Sequence, residues 1–483
     1  MQIRRRIKCN LFFILLFVCM AALVFSYVGL LNASDNGTLY IKDIIGNRAI
    51  LEDVVISGII QDRYHGIEFD IENDDVSQKF VYYDSFQDIR EPGYKLVNTL
   101  QDGEAKYIYQ LEYEISDDAN VEIVETKETL ESGYSITKTK KADKIDFYVY
   151  ISVLKNNKSN LSWDRIRYRT GASLISGTKD FQFGSTSYYD ENGNLLAYSE
   201  TSQKIGEGPY TAGSDTSNAF TLLDGCLYFT FFSSPYHTGS NGIFKVEDFS
   251  DSWPGDSPYE KKEYGNVKPV AVFSLDDNSL SVLGLKAVNG RLILIVIEND
   301  MLVLRAYHPE TGELIDRLPV MEFAPEEYGG ILQSFIEDST LNLNIAKKAA
   351  NNQEQDSTTN ILISIHAGET LSLLHCSEGL LLGDMETASA YVDQMVEADQ
   401  KLFVFTNITR ENEKQGIPYE ILWPRHYMMF VYQKDELIYK GELITDIDED
   451  YIPDREKIAS YNSGYGHNQY QFRQIYDIQV KEK

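Results

Sequence analysis

Four times along this 483-residue chain a polar turn centred on Asp or Asn runs directly into an apolar strand. The copies are Ala142-Asp143-Lys144-Ile145-Asp146-Phe147, Leu223-Asp224-Gly225-Cys226-Leu227-Tyr228-Phe229, Val288-Asn289-Gly290-Arg291-Leu292-Ile293-Leu294 and Ala398-Asp399-Gln400-Lys401-Leu402-Phe403-Val404. Asp224 and Asn289 are 65 residues apart and Asn289 and Asp399 are 110 apart, which is two periods with one copy missing. A weaker match at Thr359-Asn360-Ile361-Leu362-Ile363 partly fills the gap. A repeat of this kind describes small antiparallel sheets that must stack to bury their faces.

Other segments support an all-β reading. From Ala105 to Ile115 the residues Ala105, Tyr107, Tyr109, Leu111, Tyr113 and Ile115 alternate with Lys106, Ile108, Gln110, Glu112 and Glu114, the period of an antiparallel strand. DVVISGII and GIEFDI, between Thr38 and Phe69 and just beyond, are further candidate strands. Tyr189-Asp190-Glu191-Asn192-Gly193-Asn194-Leu195 holds an Asn-Gly turn between Tyr-rich flanks, a hairpin signal. The 33 Tyr and 23 Phe against 3 Trp suit pleated, half-buried surfaces. Helical signals are sparse: Ile345 to Gln355 could form a short helix, but the polar run to Thr359 reads better as an exposed insertion loop.

Met301-Leu302-Val303-Leu304-Arg305-Ala306-Tyr307-His308-Pro309-Glu310-Thr311-Gly312-Glu313-Leu314 is a strand, a turn and the start of another strand. It resembles a blade of the quinoprotein-like and WD-like β-propellers. The resemblance implies architecture only and brings no quinone cofactor. Roughly 450 residues at 55–65 per unit imply a propeller of about seven or eight blades. The alternative is a small membrane-proximal β domain, with a boundary near residue 140, followed by a smaller propeller or a sandwich.

Leu11 to Leu31 is a 21-residue stretch without a charge, flanked by Arg4, Arg5, Arg6 and Lys8. That length and flank predict a transmembrane helix over 11–31 with residues 1–10 cytoplasmic and a β-rich domain, 35–483, outside the cell. A cleaved signal peptide competes, but the stretch exceeds an ordinary apolar signal core and the cleavage pattern near Leu31-Asn32-Ala33-Ser34 is poor. Cys19 lacks the small residue that a lipid-attachment signal wants before it. LILIVI at Leu292 to Ile297 is too short to span, so the chain is expected to cross the membrane once. In leader, acidity and Tyr-rich strands the chain resembles uncharacterised membrane-anchored proteins of Gram-positive bacteria, a resemblance that implies no activity.

Beyond Leu31 the remaining 40 basic and 74 acidic residues leave a net charge of −34, which excludes electrostatic attraction to nucleic acid. Among the chemistry-bearing residues, His65, His237, His308, His366, His375, His426 and His467 show no paired metal-ligand spacing. Gly171-Ala172-Ser173 and Gly184-Ser185-Thr186-Ser187 read as glycine-serine turns without the second glycine of a nucleophile elbow. Gly206-Glu207-Gly208-Pro209 is wrongly spaced for a dinucleotide loop. Asp446, Asp448 and Asp450 begin like a calcium loop, but Tyr451 and Lys457 stand where it needs Gly and Glu. Ser252-Trp253-Pro254-Gly255-Asp256 and Tyr461 to His467 are aromatic loops able to stack on a sugar or grip a peptide. Cys226 and Cys376 could form one disulfide, though a strand cysteine such as Cys226 is more often a small buried apolar residue.

No catalytic, cofactor-binding or metal-ligating residue is assigned, and no cofactor is expected. The sequence points to a membrane-anchored extracytoplasmic binding or sensory module whose ligand is a protein, peptide or glycan. The alternatives are a carboxylate-dependent glycan hydrolase, whose acids leave no fixed spacing, and an envelope structural protein.

Overall fold

The computed structural model describes residues 16–28, 39–52, 54–61, 65–72, 75–82, 99–102, 105–130, 132–157, 160–175, 181–205, 216–233, 238–246, 262–263, 267–276, 280–348, 358–388, 392–411, 426–445 and 474–482. The expected transmembrane helix is overturned. The described part of the apolar segment, residues 16–28, is helical, roughly 20 Å at the helical rise against a hydrocarbon core of about 30 Å. No helix among the described residues is long and apolar enough to cross a membrane. The single-pass localisation, with its cytoplasmic tail and outward-facing domain, loses its support with that helix.

The rest is strand. The chain runs through β1 (Leu39–Ile45), β2 (Val54–Gln61), β3 (His65–Glu72), β4 (Asp75–Tyr82), β5 (Thr99–Asp102) and β6 (Ala105–Ile115). A hairpin follows, β7 (Val121–Leu130) and β8 (Gly133–Ala142), then the long pair β9 (Lys144–Asn157) and β10 (Asn160–Ile175). A second hairpin is β11 (Phe181–Tyr189) and β12 (Leu195–Ile205). Next come β13 (Phe220–Leu223), β14 (Cys226–Phe229), β15 (Thr238–Val246), β16 (Lys262–Glu263) and β17 (Lys268–Ser274). Two regular meanders are β18 (Ser281–Val288), β19 (Arg291–Glu298), β20 (Met301–Tyr307) and β21 (Leu314–Glu322), and β22 (Tyr328–Glu337), β23 (Thr340–Lys348), β24 (Thr358–Ala367) and β25 (Leu371–Glu378). The remainder is β26 (Glu386–Ala388), β27 (Gln394–Ala398), β28 (Lys401–Arg410), β29 (His426–Gln433), β30 (Glu436–Thr445) and β31 (Gln474–Glu482).

These strands make six sheets, four of them four-stranded. Besides the β18–β21 and β22–β25 meanders, the orders are β31-β2-β3-β4 and β12-β11-β8-β7. A six-stranded sheet runs β1-β30-β29-β28, with β26 and β27 both on β28. A nine-stranded sheet runs β13-β14-β15-β10-β9-β6-β5, with β16 on β10 and β17 on β15. Strands from opposite ends of the sequence pair: β31 lies antiparallel on β2, and β1 on β30.

The turns follow the predicted chemistry. Asp224-Gly225, Asn289-Gly290 and Asp399-Gln400 all have positive φ and close the β13–β14, β18–β19 and β27–β28 hairpins, where Asn, Asp and Gly best tolerate that conformation. The missing copy is at Asp338 (φ 48), between β22 and β23. Thr359 to Ile363 belongs to β24 instead. Asp143 is not a hairpin turn: it links β8 to β9, which lie in different sheets, and its carboxylate accepts from the Asn120 backbone and side-chain amides at 2.7 and 2.6 Å. Ile345 to Lys348 continues β23, and the rest of the proposed insertion, to residue 357, lies outside the described residues. The two glycine-serine segments are also not turns, since Gly171 to Ser173 lies in β10 and Gly184 to Ser187 in β11.

Burial explains why the sheets stack. In β19 every residue from Leu292 to Ile297 is fully buried, because the period of two sends side chains to both faces. Leu292, Leu294 and Val296 pack with Phe229, Phe231 and Phe244 of the nine-stranded sheet. Ile293, Ile295 and Ile297 pack with Leu341, Leu343, Ile361 and Ile363 of the next meander. The β28 strand divides in the same way. Leu402 and Val404 join Leu362 of β24, while Phe403 and Phe405 join Val54, Ile56, Phe69 and Ile71 of the β31-β2-β3-β4 sheet. These two sheets, and the β22–β25 meander between them, thus each supply half of two consecutive cores.

The turn after β20 locks one such junction. Gly312 has φ +68, and a Cβ there would collide with the Val270 carbonyl oxygen of β17. Gly290 has φ +69 but nothing within 4 Å of an added Cβ. Gly290→Ala is therefore expected to cost about 1–2 kcal/mol from conformation alone, and Gly312→Ala roughly 2–4 kcal/mol. Urea midpoints will measure both, and equal losses would show that the turn does not seat on β17.

Candidate functional site

Enclosed charge gathers at one end of the six-stranded sheet. Arg410 ends β28, His426 opens β29, Lys440 and Glu442 lie on β30, and Glu386 lies on β26 opposite Arg410. Alternation places Tyr439 and Leu443 in the apolar core on the other face. Arg410 bridges the two carboxylates, with Nη2 3.2 Å from Glu442 Oε2 and Nε 3.6 Å from Glu386 Oε1. His426 Nδ1 is 2.7 Å from Glu442 Oε1. Lys440 Nζ donates to Glu386 Oε2 at 2.6 Å, and the Gly383 amide donates to the same oxygen at 2.9 Å.

Burial alone would raise the Glu442 carboxyl, but hydrogen bonds from His426 and Arg410 outweigh it and pull the carboxyl down to about 2. Glu386 is lowered on the same terms, burial opposing and the Lys440 and Gly383 donors prevailing. Glu298 repeats the pattern on the β18–β21 meander. Burial opposes ionisation, yet Arg305 and Arg317 hold Glu298 from two sides and lower its carboxyl. Carboxylates fixed in this way are ionised at neutral pH and have no proton to give, so neither cluster provides the general acid of a glycosidase. Their effect is to tie adjacent strands together where a lone buried charge would be destabilising.

Of the other histidines, His308, His366 and His375 serve local packing. His375 Nδ1 lies against the Lys434 carbonyl and Nε2 is 2.8 Å from Ser377 Oγ, with the ring beside Tyr432. Burial lowers its affinity for a proton. His308 Nδ1 accepts from the Glu310 and Thr311 amides within its turn, and His366 faces Ser339 across the β23–β24 ladder. Cys226 and Cys376 are free thiols. Cys226 packs on the core of the nine-stranded sheet and Cys376 on the core between the two meanders, where burial pushes the thiol up to about 11. Among the described residues no group of three His, Cys, Asp or Glu could hold a metal ion. His237, His467, the Gly206 loop, the Asp446 to Asp450 segment and the aromatic loops at Trp253 and Tyr461 lie outside the described residues.

The β12-β11-β8-β7 sheet is the surface built unlike the rest. Every residue of β7 is exposed, and large apolar side chains face solvent on both outer strands: Ile123 is 63% exposed, Leu196 63% and Tyr198 57%. Its base is anchored, since Ala142 and Phe181 reach the apolar core and Lys144 Nζ donates to Asp118 at 2.7 Å. Beyond that base, contacts within the sheet hold it together. Lys127 Nζ sits 3.9 Å above the Tyr134 ring, which stacks on Tyr189 at 5.0 Å. Lys138 pairs with Glu125 at 3.2 Å, and the Thr137 and Thr186 hydroxyls are 3.1 Å apart. At the tip, Asp190 Oδ1 accepts from the Asn192 and Asn194 amides, as the Asn-Gly turn predicts. Because the Tyr rings are engaged with one another and with Lys127, the sheet offers its apolar side chains and strand edges, which suits a polypeptide partner. Sequence reasoning missed this surface, although Val121, Ile123, Leu195 and Leu196 beside charged neighbours were legible.

The Glu442 cluster makes a pH prediction. Its folded carboxyl lies below the ordinary value of 4.5, so its stabilisation is complete above that value and is lost as pH falls towards 2. Glu442→Gln is expected to lower stability at pH 7 by on the order of 2–3 kcal/mol and to flatten the acid limb of the stability profile in that window. Chemical denaturation across pH will test it, and an unchanged acid limb would show that Glu442 is not held by its partners.

No family model matches the chain, and no curated protein matches it. Among solved structures it is similar to the Synechocystis apocarotenoid oxygenase at 8% identity, over 93% of this chain and 97% of that one, with a TM-score of 0.27. It is also similar to the Dos1 propeller at 9% identity, over 70% and 86%, with a TM-score of 0.23. The PQQ-bound aldose sugar dehydrogenase of Streptomyces coelicolor shares 11% identity, over 68% and 98%, with a TM-score of 0.20. Likenesses this slight place the chain in none of these families.

Proposed function

We propose that this chain is a protein-binding module: a β-propeller-like ring of sheets that carries the β12-β11-β8-β7 sheet as its docking surface. The ring reading is supported by the two meanders and the six-stranded sheet, each of which shares a core with a sheet on either side, and by β31, which joins the last described segment to β2. Five sheets hold the described strands outside the docking sheet. The β7–β8 and β11–β12 hairpins consume chain without adding a unit, so the count falls below the seven or eight suggested by length. No part of this reading requires a membrane anchor.

The observation that carries the binding reading is the sheet with apolar side chains exposed on both outer strands in an otherwise core-forming β protein. A hydrolase is disfavoured because every shifted carboxylate among the described residues is lowered, whereas a glycosidase acid must hold its proton.

Photo-crosslinking residues placed at Ile123 and Leu196, with exposed Leu314 on β21 as the control, test the proposal in the cells that make the protein. Discrete protein adducts at the two sheet positions and none at Leu314 are expected. Equal labelling at all three sites, or turnover of glycosides by the purified chain, would defeat it.

A further inference from the structure

The outer edge of β7 is unusually open. The strand is ten residues long and pairs with β8 without a register shift, from Val121–Ala142 to Leu130–Gly133. Among the described residues no strand pairs with its second edge. Native edges are commonly shielded by proline, a bulge, shortness or charged side chains. The segment VEIVETKETL has no proline, the ladder has no bulge, and the strand is not short. What it does carry is a charge pattern.

Two copies of a strand pairing antiparallel about a two-fold axis place residue i opposite a residue of matching parity on the partner. With Thr126 opposite Thr126, Glu125 stands opposite Lys127 twice, and Ile123 stands opposite Thr129 on the same face. Opposite charges in directly facing positions stabilise a ladder and like charges destabilise it. Moving the centre by one residue either way puts Glu125 opposite Glu125 or Lys127 opposite Lys127. Charge therefore selects one register among these neighbours.

We propose that β7 pairs with β7 of a second copy in this register, joining the two four-stranded sheets into one continuous sheet across a two-fold axis. This rests on the reading of the sheet as a docking surface and names the occupant of its β7 edge. The same Glu125 and Lys127 that pair with Lys138 and Tyr134 within the chain are shared across the interface, and the β12 edge stays open for other partners.

Sedimentation of the full chain over a concentration series should show a reversible monomer–dimer equilibrium. Glu125→Lys and Lys127→Glu should each weaken it by on the order of tenfold or more, and the double variant, which restores opposite charges across the axis, should recover the dimer. Because the double variant also disturbs the pairs with Lys138 and Tyr134, its recovery separates an interface from a merely structural role. Thr126→Cys, oxidised at dimer-forming concentration, should yield a peptide linked Cys to Cys at that position, and Val124→Cys should not. A chain that stays monomeric throughout, a dimer indifferent to the charge reversals, or equal linkage at both positions would overturn the proposal. Adducts to other proteins at Leu196 without self-association would leave the docking reading standing while removing this inference.

Discussion

A strand such as β19, apolar on both of its sides, cannot rest in a sheet with one wet face. Leu292 to Ile297 demand a core on each side, so the sheet containing them must lie between two others. The same demand recurs in β28, whose alternate residues feed two different cores. One sheet therefore requires the next, and the sequence of cores follows the sequence of the chain. The ends of such a stack would each leave an apolar face in water. At one end β31 extends the β2-β3-β4 sheet, and β1 extends the neighbouring sheet through β30. The β1 strand is fastened further by Tyr439, which donates to Asp43 at 2.7 Å, and by Arg48, which donates to the Ile41 carbonyl at 2.8 Å.

Charge obeys the same geometry. Where sheets press together, ionic groups persist only as neutralised sets, such as Glu442 with Arg410 and His426, or Glu298 with Arg305 and Arg317. Lys245 spans one junction, donating to Glu310 in the turn after β20 at 2.8 Å, and that hydrogen bond raises its affinity for a proton. The exception to this economy of burial is the β12-β11-β8-β7 sheet. Attached at Ala142 and Phe181, it relies on cross-strand contacts and turn chemistry and leaves its outer strands to solvent. The proposed function is read from this exposure.

Local pattern carried much of the fold. The alternation from Ala105 to Ile115 coincides with β6, and the Asn-Gly signal with the β11–β12 hairpin. Copies of the turn at Asp224, Asn289 and Asp399 were legible because each runs into an unbroken apolar strand. The copy at Asp338 was not, because β23 reads Leu341-Asn342-Leu343-Asn344-Ile345, with buried Asn residues on the side facing the next sheet. Those Asn residues are accommodated by contacts distant in sequence, including Asn342 with the Met395 carbonyl and Asn344 with Gln333. The Glu386, Arg410, His426, Lys440 and Glu442 cluster was illegible for a similar reason, since its members come from four strands and share no spacing. The apolar leader misled in the opposite direction: its composition suggested a membrane-spanning helix, and no helix among the described residues is long and apolar enough to be one.

The central claim is that doubly buried sheets form one continuous stack, joined at β31–β2, with the docking sheet standing outside it. Native-state amide hydrogen exchange tests this most directly, because protection follows cooperative structure rather than strand content. The account predicts that β2 amides between Ile56 and Ile60 exchange as slowly as those of β19 and β24, while the outward amides of β7 exchange rapidly at concentrations where the chain is monomeric. Fast exchange in β2 alongside slow exchange in β19, or β7 protected in the monomer to the level of the core, would contradict it.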